Sequence, residues 1–113
     1  MRKLFLALLL LAFPAFAADK VVSVWTAQEE NVATAVVTEG YQTAQVTIWA
    51  VSGSPDGTAR VYSAAPGGAP LVLLATYATP TTARTFRGPA GTGLVVTLAG
   101  NTTGAVGAVA VLK

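Results

Sequence analysis

Five carboxylates, Asp19, Glu29, Glu30, Glu39 and Asp56, carry the acid–base chemistry available to this sequence near neutral pH, because it contains neither histidine nor cysteine. The missing imidazole and thiol remove the usual general base, the thiolate nucleophile and most zinc sites. A pair of carboxylates suffices for glycoside hydrolysis only when the two face each other across a cleft. Glu29 and Glu30 are adjacent and point to opposite sides of an extended backbone, and Asp56 belongs to the turn-forming run Ser54-Pro55-Asp56-Gly57. The expectation is a protein that is not an enzyme and has no catalytic residue, no metal and no cofactor.

Two further motifs have weaker chemical content. Gly88-Pro89-Ala90-Gly91-Thr92-Gly93 is glycine-rich, but it lacks the lysine and hydroxyl pair of a phosphate-binding loop and leads into a strand rather than a helix. It reads as a β-turn loop. Asn101-Thr102-Thr103 has the form of an N-glycosylation acceptor, and asparagine is equally at home in a turn because it tolerates left-handed geometry.

Binding chemistry concentrates between Tyr41 and Tyr62, where two alternating runs flank Ser54-Pro55-Asp56-Gly57. Proline, aspartate and glycine in those positions suit a type I turn with a left-handed exit, and four residues is a common hairpin loop. The predicted hairpin pairs Val51 with Arg60, Trp49 with Tyr62 and Thr47 with Ala64. Its inner face then holds Ala44, Val46, Ile48, Ala50, Ala59 and Val61. Trp49, Tyr62 and Arg60 share the outer face, with Tyr41 further along. Flat aromatics on a sheet surface stack on sugar rings or anchor protein contacts, bringing large area at small entropic cost. The competing expectation is that these rings are covered by a loop or by the strand bearing Trp25.

The chain around this segment begins with a segment that is not part of the fold. Arg2 and Lys3 precede an apolar run from Leu4 to Phe13, and Ala15-Phe16-Ala17 places small residues where a signal peptidase cuts. The expected organisation is a secretory signal peptide over residues 1–17 and a β-sandwich domain over residues 18–113. The apolar run is shorter than the ~17–25 residues of a membrane span, so the processed protein is expected not to span a membrane and to be periplasmic or extracellular. The formal charge of +2 disappears with Arg2 and Lys3, leaving five cations against five carboxylates. A neutral domain gives no electrostatic basis for nucleic-acid binding.

From Asp19 onward the runs are short, rich in valine and threonine, and cut by glycine and proline, with no helical periodicity. Val22, Val24 and Thr26 are expected on one face of a first strand and Val21, Ser23 and Trp25 on the other. A second strand follows from about Val32 to Thr38. Ala65 to Pro70 and Thr79-Pro80-Thr81-Thr82 are breaks. Between them Leu71 to Ala78, apolar on both faces, is predicted to be the most buried strand. A short strand over Ala83 to Arg87, one carrying Leu94, Val96 and Leu98, and a last one from Ala105 to Leu112 complete the count. Seven to eight short strands at this spacing predict an all-β fold, a single antiparallel β-sandwich of Ig-like or jelly-roll-like type.

The strand from Thr43, the Ser-Pro-Asp-Gly turn, the return to Val61, and the later Phe86-Arg87-Gly88-Pro89-Ala90-Gly91 corner before Leu94 to Leu98 resemble small β-sandwich modules of bacteriophage virion and tail proteins. The chain departs from those modules in carrying a leader and in lacking a tryptophan soon after the Asp-Gly turn. The resemblance implies the sandwich fold and a structural role. Two functional expectations follow. The first is an exported, non-catalytic structural or interaction module that meets a protein partner or self-associates, with Ala105 to Leu112 as a strand able to pair at an open edge. The second is a small carbohydrate-binding module whose glycan platform is Trp49, Tyr62 and Tyr41.

Overall fold

Short alternating runs become eight strands in the computed structural model, which describes residues 19–65, 69–78 and 83–113. The expected leader, the middle of the Ala65–Pro70 break and the Thr79–Thr82 break lie outside the described residues. The strands are β1 (Lys20–Gln28), β2 (Val32–Val36), β3 (Thr43–Ser52), β4 (Thr58–Ala64), β5 (Pro70–Ala78), β6 (Arg84–Pro89), β7 (Leu94–Ala99) and β8 (Ala105–Leu112). They form two four-stranded antiparallel sheets, ordered β1-β8-β3-β6 and β2-β7-β4-β5. The fold is the expected all-β sandwich, and this strand order is that of a jelly roll.

The order has a simple origin. β4 pairs with β5, β3 with β6, β2 with β7 and β1 with β8. The chain is thus one long hairpin, with its tip between Ala64 and Ala69, rolled up so that β3 also pairs β8 and β4 also pairs β7. At the tip, Ala65 N–H donates to the Ala69 carbonyl at 2.7 Å.

This topology corrects the central hairpin. β3 and β4 lie in different sheets, so Ser54 to Gly57 carries the chain from one sheet to the other instead of closing a hairpin. Alternation is satisfied equally by both arrangements. Two strands that present their apolar sides to one core can be neighbours in a sheet or face each other across the sandwich. The inner-face assignment holds for Ala44, Val46, Ile48, Ala59 and Val61, which are buried, while Ala50 is half-buried. Leu94, Val96 and Leu98 of β7 are buried as well.

Other expectations change. Trp25 is buried in the core, with Val22 and Val24 packed against it from the same strand. A register shift between Ser23 and Trp25 inserts an extra residue opposite β8, which turns Trp25 inward against strict alternation. Its indole Nε1 donates to Thr34 Oγ1 of the facing sheet at 2.9 Å. β8, expected at an edge, is central and paired on both sides. β5, expected to be the most buried strand, is the edge of its sheet. The second strand ends at Val36, and β6 runs on through Gly88 and Pro89, so the glycine-rich loop is reduced to its second half.

Candidate functional site

The aromatic face predicted around the turn does not assemble. Trp49 lies on the outer side of β3, opposite Gly107 of β8. A Cβ at Gly107 would meet the Trp49 ring at 2.7 Å, so the indole lies flat over that glycine and is half-buried by it. Arg60 and Tyr62 lie on the outer side of β4, in the other sheet. Since β3 and β4 both turn their buried residues toward the shared core, Trp49 sits on one surface of the sandwich and Arg60 with Tyr62 on the opposite one. Tyr62 faces Val95 and Leu73 across its two neighbouring strands. Tyr41 precedes β3, outside its alternation, and packs against the core. The four residues therefore form no common platform: Arg60 and Tyr62 are neighbours, and Trp49 and Tyr41 stand apart from them.

Asp56 has a different task from stabilising its own turn. Its carboxylate accepts hydrogen bonds from Thr102 N–H at 2.6 Å, from the Thr102 hydroxyl and from Thr103 N–H at 3.2 Å, all on the β7–β8 connection. The Thr102 hydroxyl, then the Thr102 amide, and with a smaller effect the Thr103 amide, lower its pKa from 3.8 to about 2 against an opposing cost of desolvation. Asn101 completes the connection. Its Oδ1 accepts from the Asp56 and Gly57 amides, and its Nδ2 donates to the Glu29 and Gly104 carbonyls. The Asn101 amide thus ties together the connections β1–β2, β3–β4 and β7–β8. A glycan on Nδ2 would remove one of its two donated bonds, so the structural use of this asparagine competes with its use as an acceptor.

A shallow groove on the outer side of the β1-containing sheet is lined by Thr43, Gln45, Arg87 and Lys113. Arg87 Nε donates to Gln45 Oε1 at 3.2 Å, and Lys113 Nζ lies 3.9 Å from Asp19. Its cations already have partners at an exposed surface, where such pairs contribute little. Among the described residues no three of His, Cys, Asp and Glu gather as metal ligands would.

The surface that remains is β5. Among the described residues the large apolar side chains most open to solvent are Val21, Val37, Val51 and the consecutive Leu71, Val72, Leu73 and Leu74. The last four are 65, 54, 50 and 39% exposed. Two register shifts against β4, between Val61 and Tyr62 and between Ser63 and Ala64, leave Leu74 and Leu71 as extra residues and break the alternation that would send half of these side chains inward. Further along, Ala75 and Tyr77 return to the core and hold the strand in place. The sequence carried one sign of this surface. A four-residue apolar run with no charge satisfies a buried central strand and an interaction edge alike, and only the pairing order separates them.

No family model matches the chain, and no curated protein matches it. Among solved structures it is similar to the SPBc2 prophage-derived protein YomS, with a TM-score of 0.65 at 13% identity, over 84% of this chain and 92% of that one. The likeness is to a phage-derived protein, and at this identity it establishes the shared fold.

Proposed function

We propose that this chain is an exported, non-catalytic interaction module that works by surface contact, with the edge strand β5 as its contact surface. One observation carries the proposal: four consecutive large apolar side chains stay exposed on a strand whose outer backbone edge pairs with no other strand among the described residues. Exposed contiguous apolar surface of this kind marks contact sites, and an open edge offers backbone donors and acceptors to an added strand. Arg2, Lys3, the Leu4–Phe13 run and Ala15-Phe16-Ala17 support export. The absence of histidine and cysteine from the sequence, and the engagement of Asp56 within the fold, support a non-catalytic role. The fold shared with a prophage-derived protein is in keeping with a structural part in a phage-type assembly, as in virion and tail modules. The glycan alternative asks for Trp49, Tyr62 and Tyr41 on one surface, which their strands do not give.

The test is site-specific photo-cross-linking in the producing cells. A photoreactive amino acid in place of Leu73 is expected to form a covalent protein adduct, whereas the same group in place of Thr47, on the outer side of β3, is not. Equal labelling at both positions, or none at Leu73, would overturn the proposal.

A further inference from the structure

The four edges of the sandwich differ in how they discourage pairing. β1 starts at Lys20 and is broken by two register shifts. β2 has five residues and is preceded by Glu29 and Glu30. β6 has six residues, carries Arg84 and Arg87 and ends in Pro89. Charge, shortness, proline and bulges are the usual protections of an exposed edge, and of these the interior of β5 has only its two bulges. β5 has nine residues, PLVLLATYA, without a charge, and its proline is confined to the first position, where it removes no interior donor. Its register shifts are its only irregularity, and they turn leucine side chains outward.

The chemistry of β5 also defines what fits it. A partner strand must be uncharged and apolar, since Leu71, Val72, Leu73 and Leu74 are all exposed along the edge it would meet. Among the described edge strands the one with four consecutive large aliphatic residues and no charge is β5 itself; β2 is also uncharged, but it has only five residues, one of them Thr34. The formal charge of residues 19–113 is zero, so two copies approach without net repulsion. Pairing of β5 with β6 or β1 of another copy would bring Arg84, Arg87 or Lys20 against the leucines and leave those charges without partners. Antiparallel self-pairing is also closed: one two-fold axis satisfies both edges, and no free β5 remains to extend the assembly.

Resting on the proposal that β5 is the contact surface, we infer that its partner is a second copy of the chain, joined by antiparallel β5–β5 pairing about a two-fold axis within Leu71–Leu74. The two four-stranded sheets become one eight-stranded sheet, in the order β2-β7-β4-β5-β5-β4-β7-β2, and the leucines of each copy cover those of the other.

Light scattering after size exclusion, on protein produced from the full sequence, tests this with Leu73→Lys and Leu73→Glu. The unmodified protein is expected at twice the mass of one processed chain. Each variant alone places like charges within cross-strand reach at the axis, so its dissociation constant rises by at least ~10-fold. An equimolar mixture of the two variants recovers the dimer. That recovery is the signature of a second copy, since damage to the fold is not repaired by mixing. Circular dichroism monitors folding. If either variant unfolds, the pair Leu71→Lys and Leu71→Glu, at the most exposed of the four positions, replaces it. Several results would overturn the inference: a monomer at ~100 μM, where even a weak dimer would be visible; a dimer indifferent to these charges; a species larger than a dimer; failure of the mixture to recover; or a monomer that binds phosphatidylcholine vesicles through β5. A monomer would leave the contact role of β5 to be decided by cross-linking from position 73.

Discussion

Asp56 and Asn101 show how two polar side chains can hold a sandwich closed at one end without burying a charge. Asp56 is ionised in the fold with its pKa near 2, against 3.8 for the free group. A carboxyl depressed in the folded state binds fewer protons there than in the unfolded chain between those two values, so its stabilising effect is complete above about pH 4 and fades as pH falls toward 2. Asp56→Asn is therefore expected to lower the melting temperature by a constant amount above pH 4, and the difference from the unmodified protein should close on acidification to pH 2. A pH-independent difference would assign the loss to geometry instead of charge. Asn101→Ala removes both halves of the amide and leaves the Asp56 and Gly57 amides without their partner. A loss of about 2–3 kcal/mol in denaturant unfolding is expected, from several bonds each contributing about 1 kcal/mol. The sequence made Asp56 legible as a turn residue and Asn101 as a turn or a glycan acceptor. It did not disclose that the two meet, because their contact spans 45 residues and depends on which connections share an end of the sandwich.

Strands β5 and β8 exchange the places their composition suggests. β8, with the sequence AVGAVAVL, is central because small side chains let neighbours pack on both faces, and Gly107 leaves the space that the Trp49 ring fills. β5 carries Leu71, Leu73 and Leu74, and they lie outside. Side-chain hydrophobicity indicated that both strands need covering, but not that β5 lies at an edge with its side chains exposed. Inner and outer faces were legible wherever alternation was unbroken, as at Val46, Ile48 and Val61. They were misassigned where a bulge intervened, as at Trp25, because an extra residue reverses parity without leaving a mark in composition. The fit of Trp49 on Gly107 can be measured. Gly107→Ala is expected to cost about 1–3 kcal/mol by forcing a methyl group against the indole and Val51. In a Trp49→Ala background the same change should cost substantially less, and a double-mutant cycle with no coupling would show that the ring does not lie over Gly107.

At the scale of the molecule, the organising element is the β4–β5 hairpin at the middle of the chain. Every outer pairing is nested around it, so the first and last strands, β1 and β8, meet. The fold class was legible because strand length, turn spacing and alternation are local properties. Strand order was not, since Ser54-Pro55-Asp56-Gly57 suits a hairpin and a crossing between sheets equally, and that ambiguity dispersed the expected aromatic face over two surfaces. Of the four edge strands that this order leaves, β5 is the one with nine residues and no charge. Hydrogen–deuterium exchange followed by mass spectrometry, across a concentration series of the unmodified protein, tests that strand directly. Peptides covering residues 70–78 should exchange more slowly as concentration rises, while peptides covering β1, an edge of the other sheet, stay unchanged. Exchange in β5 that is independent of concentration, or a slowing shared equally by β1, would contradict β5 as the surface through which two copies of this protein meet.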